Sequence, residues 1–190
     1  HNVTDDAARS FEQWVQEDRI LRPDGEAYDL FGAALSVSGE RAVISATGRD
    51  LDGQARGAAY VYQYERGQWI EEAMLTASDG RDLDYFGSPA IRDDLIIVSA
   101  TGADAFQENL GAVYVFQHDG TSWVEQGKFL NAAGGEDDSL GSPLRIGGEG
   151  ALVSAYRSDD PVLWAGAVFS ISLSGEDCND TNMCDWLDLA

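Results

Sequence analysis

The stretch RGAAYVYQYERGQW (residues 56–69) is repeated in close variation as LGAVYVFQHDGTSW (residues 110–123), 54 positions later. The similarity extends over most of the chain, because several marker residues recur in order at steps of 54 or 55. These markers are Trp14, Trp69 and Trp123; Phe31-Gly32, Phe86-Gly87 and Leu140-Gly141; Ser45-Ala46, Ser99-Ala100 and Ser154-Ala155; and Gly57-Ala58, Gly111-Ala112 and Gly166-Ala167. A fixed period of this length indicates a repeat architecture.

The period divides the chain into three repeats with short flanking segments. We place the repeats at about 22–75, 76–130 and 131–173, within a repeat region that covers 11–173. Residues 11–21 carry a Trp-containing segment of the kind that ends the first two repeats, so we predict it to be a spare outer strand. Residues 1–10 form an N-terminal arm, and 174–190 form an acidic C-terminal tail.

Each repeat has the pattern of short antiparallel strands. The segments AALSVSG, RAVISAT, GAAYVYQY and QWIEEAML are rich in β-branched and aromatic residues, and turn signals such as Ser38-Gly39, Arg66-Gly67 and Asp79-Gly80 separate them. Tyr60, Tyr62, Tyr64, Tyr114 and Phe116 lie at alternating positions, which favours a packed core. Four short strands in a repeat of this length describe a propeller blade, and the sequence therefore predicts an all-β fold.

Composition limits the partners of the chain. The 190 residues are 44% hydrophobic, which is enough for a domain-sized core, and the formal net charge is −22. A surface this acidic repels nucleic acid and anionic lipid. No apolar run reaches the ~20 residues that span a bilayer, so we expect no membrane insertion. The chain starts at His1, which fits either a removed signal peptide or a trimmed sequence.

The repeats resemble a known family. The order Phe-Gly, SVSGERAVISATG, GAAYVY, W-x-E and LTASDG in residues 31–80 strongly resembles the FG-GAP repeat of integrin α-subunit propellers and of many secreted bacterial proteins. The resemblance implies a β-propeller that presents loops for binding and sometimes holds Ca²⁺ in Asp-rich turns. The third repeat departs from the pattern, with Leu140 in place of Phe and Trp164-Ala165 before its Gly-Ala pair.

The number of blades raises a question of assembly. Propellers close with roughly four to eight blades, so three repeats are too few for a ring. The spare strand at the start and the strand missing from the third repeat are of the same type, so two chains could close a six-bladed ring by mutual strand exchange. Exchange that fails to close would give a filament. The third alternative is that these residues are a fragment of a longer chain that carries the remaining blades.

The C-terminal tail contains a candidate calcium loop. Oxygen-bearing residues alternate through DCNDTNMCDWLD in the positions at which a twelve-residue loop coordinates Ca²⁺: Asp177, Asn179, Thr181, Met183 through its carbonyl, Asp185 and Asp188. The stretch looks like a dockerin-type loop. We predict that a local disulfide between Cys178 and Cys184, favoured over free thiols, pins it. The alternative is a flexible acidic tail with a small disulfide. Asn2 and Asn179 each begin a glycosylation acceptor pattern.

The repeat loops offer weaker candidates for calcium. Asp50 and Asp52 resemble a truncated form of the Asp-rich loop that binds Ca²⁺ in integrin propellers. The corresponding loops contain Asp104, Glu108 and Asn109 in the second repeat, and Asp159 and Asp160 in the third. Asp in a turn commonly just caps the backbone, and that interpretation is favoured here.

Catalysis has little support in the sequence. The two histidines are His1 and His118, the latter in a predicted turn, and no nucleophile elbow is present. We therefore predict a non-catalytic, extracellular or cell-surface module that pairs through its end strands with copies of itself or with further blades. The alternative is a lectin-like module that binds a glycan or an extracellular protein, with Trp164 as the candidate ligand-binding residue. A hydrolase with paired carboxylates ranks third.

Overall fold

The computed structural model describes residues 18–103, 109–131, 134–148, 150–158 and 165–172. This part of the chain contains eleven β-strands and no helix, so the all-β prediction is confirmed. It therefore also contains no helix that could cross a membrane. The strands form three separate antiparallel sheets, one for each repeat, and the three sheets do not close into a ring.

The strands of each sheet follow one another in chain order, as in a propeller blade. The first blade contains β1 (Phe31–Ser38), β2 (Arg41–Ala46), β3 (Ala58–Glu65) and β4 (Gln68–Leu75). The second contains β5 (Phe86–Arg92), β6 (Leu95–Ala100), β7 (Ala112–His118) and β8 (Trp123–Phe129). The third contains β9 (Leu140–Gly147), β10 (Gly150–Ala155) and β11 (Ala167–Ser172).

The third blade has three strands among the described residues, and its predicted lack of an outer strand stays a prediction because residues 173–190 lie outside the described part of the chain. Its outermost strand is β11, which occupies the position of β3 and β7 and has no described strand on its outer side. Of the predicted spare strand at 11–21, the described residues 18–21 have no regular secondary structure. Residues 11–17 lie outside the described part of the chain, as do the predicted arm at 1–10 and the tail at 174–190.

The hydrophobic core lies between the blades rather than inside them. One cluster joins the first blade to the second and contains Val43, Val61 and Leu75 packed against Phe86, Ile96, Val98, Tyr114 and Phe116. A second cluster joins the second blade to the third and contains Ala90, Ile97 and Val113 packed against Leu140, Leu144, Val153 and Ile171. The predicted core positions of the aromatic residues are thus confirmed for Tyr60, Tyr62, Tyr114 and Phe116, whereas Tyr64 is partly exposed.

Two glycines allow the backbones of neighbouring blades to touch. Gly57 lies just before β3 and pairs with Phe86 at the start of β5, where the Phe86 N–H donates to the Arg56 carbonyl at 2.9 Å. A Cβ atom on Gly57 would lie 2.6 Å from the Phe86 nitrogen, so no side chain fits. Gly111 repeats the contact one blade later against Leu140, whose N–H donates to the Leu110 carbonyl at 3.0 Å.

We expect the Gly111→Ala substitution to destabilise the stack by about 3 kcal/mol. The positive φ of 81° costs a side chain ~1 kcal/mol, and the collision with Leu140 costs about 1–3 kcal/mol more. Gly120→Ala is the matched control, because Gly120 has a φ of 95° and open space around it. The measurement is the free energy of unfolding in urea. An equal loss of unfolding free energy in both variants would contradict the close contact between Gly111 and Leu140.

Candidate functional site at the two ends of the blade stack

The surface of the first blade that faces away from the second blade repeats the residues of a blade interface. We define this head face by Phe31, Leu35, Ile44, Tyr60 and Tyr62. Phe31 contacts both tyrosine rings edge-on, at centroid distances of 6.0 and 6.3 Å, as Phe86 contacts Tyr114 and Phe116 in the second blade. The head face is therefore built as an interface.

The segment 18–30 covers part of the head face. Ile20 packs against the head-face cluster. Arg22 is buried, lies 3.5 Å above the centre of the Tyr60 ring and donates to Asp24 at 2.5 Å. Stacking of a guanidinium on an aromatic face is favourable and shields the ring from water. The sequence reasoning did not identify Arg22, since an isolated Arg before Pro carries no pattern.

A groove remains between residues 18–20 and the head face, and it extends from Leu35 on β1 to Trp69 on β4. It encloses about 390 Å³ and is lined mainly by apolar and aromatic side chains, with Asp18 at its rim. Leu35 is 63% exposed in this groove, whereas Leu144, which holds the same position opposite the third blade's β10, is 2% exposed. The difference arises because the second blade covers Leu144 and no described residue covers Leu35.

The opposite end of the stack is also open. We define the tail face by Leu152, Ser154, Gly166, Val168 and Ser170, which lie on one side of the third blade. Leu152 and Val168 are 55% and 67% exposed, while the residues at the same positions in the second blade, Ile97 and Val113, are each 1% exposed. Within the described residues the tail face thus lacks the neighbour that the other blades have.

A buried aspartate before each inner strand fixes how that strand enters its blade. Asp29, Asp84 and Asp138 each accept a hydrogen bond from the backbone N–H three residues earlier, at 2.7 to 2.9 Å. The residues on both sides of each aspartate have positive φ, which is rare outside glycine and is held here by these bonds. These aspartates are 55 and 54 residues apart, so they follow the repeat period. They were not among the predicted site residues, although this spacing would have identified them.

A polar cluster joins the outer parts of the first two blades. Glu72 on β4 accepts from Trp123 Nε1 at 3.3 Å and lies 3.3 Å from His118 Nε2. Arg41 lies between Glu72 and Asp94 of the second blade, at 3.2 and 2.8 Å. His118 is the last residue of β7 rather than a turn residue, so the turn prediction was wrong at this position. Its role in this cluster is to contact the neighbouring blade.

The linker between the first two blades is held by Asp79. Asp79 accepts from the Tyr114 hydroxyl at 2.8 Å and from Lys128 Nζ. Burial alone would raise the pKa of Asp79, but the hydrogen bonds from Lys128 and Tyr114 outweigh it and keep this pKa below its ordinary value. Burial and the neighbouring carboxylate raise the pKa of Tyr114, so the phenol stays protonated and donates.

The predicted calcium residues in the first repeat lie in an exposed turn between β2 and β3. Asp50 and Asp52 are both exposed, and Leu51 pairs with Gln54 to close the turn. Two carboxylates supply fewer oxygens than the six to eight that Ca²⁺ requires. In the described ranges no three acidic, His or Cys side chains are grouped for metal binding.

The remaining predicted site residues lie outside the described part of the chain, and their assignments stay predictions. They are Asp104, Glu108, Asp159, Asp160, Trp164, Asp177, Cys178, Asn179, Thr181, Met183, Cys184, Asp185 and Asp188. Asn109 is described, and its side chain donates to Asp137 at 2.8 Å across the second blade interface.

The sequence model of the FG-GAP repeat matches residues 14–62 and 69–116, just over half of the chain. The first match runs from the marker Trp14 into β3, and the second runs from Trp69 into β7. The second match therefore begins with the outer strand of the first blade and continues into the second blade. No curated protein shows significant similarity to the chain.

We expect the Asp79→Asn substitution to lower stability at neutral pH and to reduce the loss of stability in acid. A carboxyl whose folded pKa lies below its unfolded value of 3.8 stabilises the fold above that value, and the contribution is lost as pH falls through the folded pKa. Urea unfolding at pH 7 and at pH 3 measures both effects. Asp52→Asn, in an exposed turn, is the control. The same pH dependence in Asp79→Asn and wild type would contradict this role of Asp79.

Proposed function

Since the chain belongs to the FG-GAP repeat family, we propose that it is a non-catalytic binding module that joins further blades of the same type at its head and tail faces. The observation that supports this proposal is the exposure of interface positions at both ends. Leu35, Leu152 and Val168 hold positions that are buried at blade contacts elsewhere in the chain, yet here they are exposed. Clustered apolar exposure of this kind is typical of interaction surfaces.

The glycine markers are retained at both ends of the blade stack, although no neighbouring blade packs against them among the described residues. Gly166 keeps a φ of 75°, close to the 83° and 81° of Gly57 and Gly111. Gly32 keeps a φ of 89° at the start of the head face. Glycine at these positions costs backbone entropy, so its presence at open ends favours a blade-binding role.

The proposed setting is extracellular or at a cell surface. FG-GAP repeats are typical of extracellular proteins, and their family is generally non-catalytic. The net charge of −22 suits a calcium-containing medium, where cations reduce repulsion between acidic chains. We include Ca²⁺ at the C-terminal loop 177–188 in this proposal as a stabilising ion. The lectin-like alternative depends on Trp164, which lies outside the described residues.

We expect the native particle to be larger than one 20.5 kDa chain when its mass is measured by light scattering. Burial of the two apolar end faces drives the association. If the loop at 177–188 binds Ca²⁺ and supports assembly, a chelator will reduce the mass. A chain that stays monomeric at all concentrations, with and without chelator, would contradict the proposed function.

A further inference from the structure

We propose that the blade received at each end belongs to a second copy of this chain, so that two copies close one six-bladed ring through two identical head-to-tail contacts. This inference rests on the proposed function and specifies its partner. The tail face of one copy packs on the head face of the other as the first blade packs on the second. Four features of the described residues support it.

The first feature is an empty space beside Gly32. At the contact between the first two blades, a Cβ atom on Gly87 would lie 3.0 Å from the Ser45 Cβ. At the next contact, a Cβ on Gly141 would lie 2.8 Å from the Ser99 Oγ. Gly32 is the corresponding glycine of the head face and has no atom within 4 Å of its Cβ position.

The serine that would fill this space lies on the tail face. Ser45 and Ser99 are fully buried beneath the glycine of the following blade, whereas Ser154 at the same position in β10 is only partly buried. The repeat register places Ser154 of one copy against Gly32 of the other. The head face and the tail face therefore carry the two halves of one blade contact.

The second feature is the backbone contact of Gly166. Backbone atoms of the following blade pack against the first two glycines of this type: those of Phe86 against Gly57, and those of Leu140 against Gly111. The atoms nearest to the Gly166 Cβ position belong instead to Tyr156 of its own blade, at 3.2 Å or more. Phe31 of a second copy matches Phe86 in chemistry and in register. Its N–H would donate to the Ala165 carbonyl as Phe86 donates to Arg56.

The third feature is the position of residues 18–22 on the head face. Leu75 ends the outer strand of the first blade and packs in the core against the second blade. Ile20 makes the corresponding contact with the head face. The N-terminal segment of one copy thus lies where the outer strand of a preceding blade ends, and the third blade has no described outer strand of its own. A docked third blade would acquire this segment on the free side of β11.

The fourth feature is the number of blades. Each copy has three blades in the part of the chain that the structure describes, so two copies give six blades and three give nine. Rings of four to eight blades are the ones that close. A head-to-tail contact that closes after two copies leaves no free end, whereas one that fails to close gives a filament. Two copies are therefore the arrangement that satisfies both faces. The charge of each copy opposes the contact, so association should strengthen as salt screens the repulsion.

The test compares two glycine variants of the full chain by analytical ultracentrifugation. Gly32→Asn places a side chain in the space reserved for Ser154, and Asn tolerates positive φ better than other residues. Gly120→Asn is the control, because Gly120 has a similar φ of 95° in open space and lies away from both end faces. We expect Gly32→Asn to weaken dimerisation at least 100-fold and Gly120→Asn to leave it within twofold of wild type. Circular dichroism checks that both variants fold.

A second variant tests the head-to-tail arrangement itself. Val168→Asp puts a charge on the tail face, and we expect it to be monomeric like Gly32→Asn. When the two variants are mixed, the tail of Gly32→Asn and the head of Val168→Asp are both intact, so a two-copy particle with one contact should reappear. A head-to-head dimer would instead form from Val168→Asp alone.

The outcomes separate this inference from the proposed function. If wild type associates but Gly32→Asn associates equally well, or the mixture stays monomeric, the head-to-tail inference is wrong while the proposed function stands. If wild type is monomeric at every salt and protein concentration, both are wrong.

Discussion

The close approach of one blade's backbone to a glycine of the preceding blade is the constraint on which the rest of the structure depends. Gly57 and Gly111 leave room for Phe86 and Leu140, and the N–H groups of those residues donate across the contact. This contact sets the distance at which Val43, Val61 and Leu75 of the first blade pack against apolar side chains of the second blade. Since the core lies between blades, a blade without a neighbour cannot bury its apolar surface.

The two ends of the stack follow from the same constraint. Contacts in a repeat protein are made with nearest neighbours, so the terminal units need either polar caps or partners. The tail face has neither among the described residues, and the head face is capped only in part by Ile20 and Arg22. The open surfaces at Leu35 and Val168 are therefore a direct result of how the blades are built.

The sequence predicted the fold well because its period is explicit. The 54- and 55-residue spacing of the Trp, Phe-Gly and Gly-Ala markers defined the three sheets. It did not predict which side of each strand faces which blade, because both sides are apolar in β2 and β6. His118 was misplaced in a turn because the neighbouring Asp119-Gly120 signal hid its pairing with Trp123. Arg22 could not be predicted, since its burial depends on a contact with the distant Tyr60.

Two copies of the chain complete one ring in the proposed assembly, with three blades from each copy. Electron microscopy of the purified particle tests this claim most directly, because blades are countable in views along the ring axis. The account predicts closed rings of six blades with two-fold symmetry. Open three-bladed arcs, or filaments of stacked units, would contradict it.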